Sequence, residues 1–111
     1  MTGLRSDRIR DLNDSFRRAG PSHGGWALTS GAQALGFSAV SQIVALIQTC
    51  AEFDVDNDPH GEHDFGSIEI EGDRIFWKID YYDLELAFGS ADPSDPAVTR
   101  RILTIMLASE Y

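Results

Sequence analysis

Cysteine is nearly missing from this sequence: Cys50 is the only one in 111 residues. A single thiol excludes an internal disulfide and any zinc site built from cysteines. Long hydrophobic runs are missing as well, and none approaches the roughly 20 residues that span a bilayer. The first residues, Met1-Thr-Gly-Leu-Arg-Ser-Asp-Arg8, lack the apolar core of a secretory signal. A cytoplasmic protein is therefore expected. There is no glycine-rich phosphate loop, nucleophile elbow or dinucleotide fingerprint.

Charge is missing in one place and one-sided in another. Residues 21–50 contain no Asp, Glu, Lys or Arg. Residues 51–96 contain fourteen acids against Arg74 and Lys78, a local balance of −12 in a chain whose total is −9. Such a field repels phosphate backbones, which argues against direct nucleic-acid binding. It attracts cations or the basic surface of a protein or nucleoprotein complex.

What is present suits one domain over residues 1–111, with 42% hydrophobic residues. Ile9, Leu12 and Phe16 fall at helical spacing, predicting a helix capped by Ser6 and running to Ala19 before Gly20-Pro21. Its arginines are expected on the wet face. Residues 26–29 read as a short strand and residues 31–36 as a helical turn. Residues 38–52 read as a mostly buried helix, with Val40, Ile43, Val44 and Ile47 on its stripe and Cys50 as a core thiol.

Residues 65–82 alternate on both sides of Glu71-Gly72-Asp73-Arg74, which predicts a β-hairpin. A turn at Gly72-Asp73 would set Ile70 opposite Ile75, Ile68 opposite Trp77 and Glu71 opposite Arg74. Ile68, Ile70, Ile75, Trp77 and Ile79 would share the buried face. Asp95-Pro96 is a good helix start, and Val98, Ile102, Ile105 and Met106 form a stripe, predicting a last helix packed on the hairpin. The expected fold class is α+β: a small antiparallel sheet, the hairpin 65–82 plus the strand near 26–29, packed against three helices.

Chemistry concentrates in the loop from Asp54 to Asp64. Asp54, Asp56 and Asp58 match the first three ligand positions of an EF-hand loop, but Pro59 stands where the turn glycine is needed and Phe65 where the bidentate Glu belongs. Asp56, Asp58, His60 and His63 are the candidate ligands for a divalent cation. The competing reading makes these side chains turn and cap formers. An acid/base pair of His63 and Asp80 is a further arrangement to look for. The outer face of the hairpin mixes Phe76, Lys78, Asp80 and Tyr82, which suits either a binding surface or a cover by the first helix.

Three stretches, Asp56–Gly66, Phe76–Asp83 and Asp95–Tyr111, resemble a family of short bacterial proteins, domain-of-unknown-function family 3768. The resemblance extends from about Ile9 to Tyr111 and brings no catalytic residue with it. It implies an alphaproteobacterial, mobile-element setting, in which small acidic proteins inhibit host defences as anti-restriction or anti-CRISPR proteins. The leading expectation is a non-enzymatic protein-binding module whose contact residues are Asp54, Asp56, Asp58, Glu62, Asp64, Glu69 and Glu71, with no cofactor.

Overall fold

Alternating hydrophobic residues build a four-stranded sheet, and three helices cover one of its faces. The computed structural model describes residues 2–53, 56 and 58–111. Helix α1 spans Thr2–Ala19, strand β1 Trp26–Leu28, helix α2 Ser30–Gln33 and helix α3 Phe37–Thr49. Strands β2 (Phe65–Ile70), β3 (Asp73–Tyr82) and β4 (Arg100–Leu107) follow, with short 3-10 turns at Pro21–His23 and Ala108–Glu110. The α+β class is the expected one.

The sheet order is β1-β4-β3-β2. β2 with β3 and β3 with β4 are antiparallel, whereas β1 lies parallel to β4, so the sheet is mixed and not wholly antiparallel. The last strand replaces the helix expected after Asp95. Asp95 does cap, but it caps only a turn, its carboxylate accepting from the Ala97 amide. Beyond it Arg101, Leu103 and Ile105 point alternately inward, between two neighbours that satisfy the backbone on both sides. Ile102, Thr104 and Ile105 favour that extended state, and the strand pairing overrides the helical spacing.

The hairpin forms two residues away from the expected register. Ile68 faces Ile75, Gly66 faces Trp77 and Glu69 faces Arg74. The turn is Glu71-Gly72, both at positive φ (51° and 86°), the geometry whose twist matches paired strands. A shift of two leaves every side chain on its expected face. Ile70, Ile75, Trp77 and Ile79 are therefore buried as expected, with Leu103 and Ile105 from β4 and Ile43 and Ile47 from α3. Each fully buried isoleucine contributes about 1.5–3 kcal/mol.

α1 starts earlier than its expected cap, so Ser6 lies inside the helix. It packs on the core side of the sheet, not over Phe76 and Tyr82: Phe16 joins the core and Asn13 bonds the Tyr81 hydroxyl. The opposite face is closed by an aromatic trio, Phe65, Phe76 and Tyr111, with ring centres 5.2–5.8 Å apart.

Candidate functional site

Asp58 organises the acidic loop. One of its carboxylate oxygens accepts the amides of Glu62 (3.0 Å) and His63 (3.1 Å), and its carbonyl accepts the Gly61 amide. The side chain is buried. This is the cap-forming role that short acids play in loops. His63, at φ 56°, stacks flat on Phe53 with ring centres 3.9 Å apart. Its Nδ1 lies 2.8 Å from Asp14 and its Nε2 3.8 Å from Asp58.

Beneath the loop lies a residue the sequence reading placed in water. Arg17 is 1% exposed. Its guanidinium donates to Asp14 and to the carbonyls of Ile47 (2.9 Å) and Cys50 (3.0 Å), and it lies against the rings of Phe53 and Trp77. A cation at the C-terminal end of α3 meets the carbonyl of Cys50 just past the helix and shares the Ile47 carbonyl with the Cys50 amide. The signal was faint: Asn13, Phe16 and Arg17 continue the helical face of Ile9, so a polar pair rides on an apolar stripe. Cys50, expected within α3, is the residue just after it and packs half-buried against the core.

A second set of bonds extends the network. Asn13 donates to the Glu62 carbonyl (3.0 Å) and the Tyr81 hydroxyl (2.8 Å), and it accepts from Arg101 (2.7 Å). Tyr81 donates to Asp64 at 3.3 Å. Burial raises the Asp64 and Glu62 carboxyls above their usual values, and neighbouring acids add to the effect. Burial also raises the Tyr81 phenol and lowers Arg101. Asp14 goes the other way: burial opposes its charge, but hydrogen bonds from His63 and Arg17 outweigh that and hold it low.

The expected contact residues thus divide. Asp56, Glu69 and Glu71 are exposed, Glu62 and Asp64 half-buried, and Asp58 is turned inward. Asp54 lies outside the described residues. Glu69 pairs with Arg74 at 2.8 Å, the partner expected for Glu71.

The four expected metal ligands divide too. Asp56 and His60 border a surface groove of about 470 Å³ with Asp64, Lys78 and Asp80, whereas His63 engages Asp14 of α1 and Asp58 bonds the amides of its own loop. Among the described residues no group of three His, Cys, Asp or Glu side chains is arranged to hold a metal ion. Asp80 ion-pairs with Lys78 at 3.2 Å while His63 engages Asp14, so the structure does not bring that candidate acid/base pair together. Among the described residues no helix is long and apolar enough to cross a membrane.

Residues 28–110 match the model of a family described as protein of unknown function, DUF3768. The chain belongs to this family. The match starts at Leu28, not near Ile9, so α1 lies outside the DUF3768 segment while supplying Asn13, Asp14 and Arg17 to a network otherwise built from it. No curated protein and no solved structure matches the chain.

Proposed function

We propose that this DUF3768 protein is a non-enzymatic binding module that presents carboxylates to a basic surface of a protein or nucleoprotein complex. The observation that supports this reading is where the cations are. Arg5, Arg10, Arg17, Arg74 and Lys78 are each ion-paired within the chain. Arg8 donates to the Ser94 carbonyl, and Arg101 is buried against Asn13. Internal bonds therefore occupy most of the positive charge, while acids outnumber Lys and Arg by nine over the chain.

The exposed carboxylates of Glu71 and Asp73 at the hairpin turn, with Asp56 on the loop and Glu69 beside its Arg74 partner, form the acidic surface. Its chemistry resembles a phosphate backbone in sign alone, which suits inhibition of a nucleic-acid-binding defence complex, in the manner of an anti-restriction or anti-CRISPR protein from a mobile element. Charge of one sign accelerates encounter with such a target and makes binding salt-sensitive. The test is competition. Basic nucleic-acid-binding defence complexes are immobilised and the purified protein is passed over them with and without their cognate nucleic acid. Capture that nucleic acid abolishes is expected; capture that it leaves unchanged, or no capture by any complex, overturns the reading.

A further inference from the structure

Residues 21–50 carry no formal charge; the C-terminal end of α3 meets Arg17 beneath the acidic loop, whereas its N-terminal half borders an uncharged groove. α3 uses Ile43 and Ile47 for the core and still has a second apolar stripe. Phe37, Val40 and Val44 stand at i, i+3 and i+7, and Phe37 is 89% exposed. With Pro21 and Leu28 they line a groove of about 430 Å³. A phenylalanine left in water beside an apolar groove marks an interaction surface.

We propose that this flank is a homodimer interface in which Phe37 of each copy enters the groove of the other. Two observations select a second copy over a different partner. A two-fold interface requires one patch to carry both the projecting group and its receptor, and this patch carries Phe37 beside the hollow formed by Pro21, Leu28, Val40 and Val44. Charge points the same way. Two copies at −9 each repel through their acidic surfaces, and burying unpaired carboxylates against one another is costly. No charged residue lines the groove, so two copies meet there without like charges in it, and it offers a basic partner no counter-charge. The dimer would leave both acidic surfaces facing outward.

Light scattering across a dilution series tests this. The expected mass is twice 12.2 kDa, falling to one chain on dilution. Phe37→Asp, and separately Ser41→Asp, change exposed positions on the flank. Each should give a monomer with an unchanged circular dichroism spectrum, while Glu69→Lys should leave the dimer intact. A monomer at every concentration, or a dimer that both flank variants preserve, overturns the proposal.

Discussion

Arg17 concentrates more of this protein's stability than any surface charge. It is buried, bonded to Asp14 and to two carbonyls, and held between Phe53 and Trp77. Replacing it by methionine keeps the stem but removes the donor to the Cys50 carbonyl, leaves the Ile47 carbonyl with only the Cys50 amide, and leaves Asp14 with only His63. We expect Arg17→Met to cost about 3–5 kcal/mol, read from the urea midpoint, because removing one member of a buried pair leaves its partner uncompensated. A loss no larger than that of exposed Arg18→Met would contradict this assignment.

Two carboxyls of the loop, Glu62 and Asp64, shape the pH dependence. Glu62 and Asp64 have folded pKa values above their unfolded ones, so the folded state takes up protons first as pH falls. Their contribution makes stability rise on acidification from neutral toward the ordinary glutamate value of 4.5. Asp14 has the opposite sign. Its stabilisation is present above its ordinary value of 3.8 and is lost as pH falls through its lower folded value. Thermal melts should therefore peak on the acid side of neutral. Asp64→Asn should raise the neutral-pH Tm by a few degrees and flatten the rise; a wild-type Tm constant from pH 7 to the peak would contradict it.

At the scale of elements, the hairpin was legible in the sequence because its alternation fixes the face of each residue, and a shift of two preserves that face. Its register was not, because Gly72 fits either turn and the pattern does not distinguish Glu71-Gly72 from Gly72-Asp73. The structure gives a local reason for the register adopted. Gly66 sits under the Trp77 ring, where a Cβ would lie 2.3 Å from the indole nitrogen. Gly66→Ala should therefore cost about 1–3 kcal/mol by overpacking, and a neutral result by chemical denaturation would contradict the observed pairing. Glu71 carries a backbone strain that asparagine tolerates better, so Glu71→Asn should raise stability by about 0.5–1 kcal/mol in the same assay.

The last element was misread for a physical reason. Val98, Ile102, Ile105 and Met106 satisfy a helical period, while Arg101, Leu103 and Ile105 satisfy a strand period. Only the presence of β1 and β3 on its two sides decides between them, and no local pattern contains that information. Arg17 escaped for the same kind of reason: the α3 carbonyls that hold it come thirty residues later.

Over the whole molecule, charge separates by region. The uncharged residues 21–50 supply β1, α2 and α3, several cations are ion-paired on α1 and the hairpin, and exposed acids include those of the loop and hairpin turn. The acidic character of that surface was visible in composition alone, but which acids face outward was not. Asp58 proves to be a structural cap, while Asp56, Glu69 and Glu71 remain exposed.

The most direct test of the account replaces those three exposed acids by lysine. The affinity of Asp56→Lys/Glu69→Lys/Glu71→Lys for a basic complex that captures the wild-type protein would be measured at moderate salt, after circular dichroism confirms the fold. We predict a weakening of at least about tenfold per reversed charge, carried by slower association and diminishing as salt screens the field. An unchanged affinity in a folded triple variant would contradict the acidic surface as the site of binding.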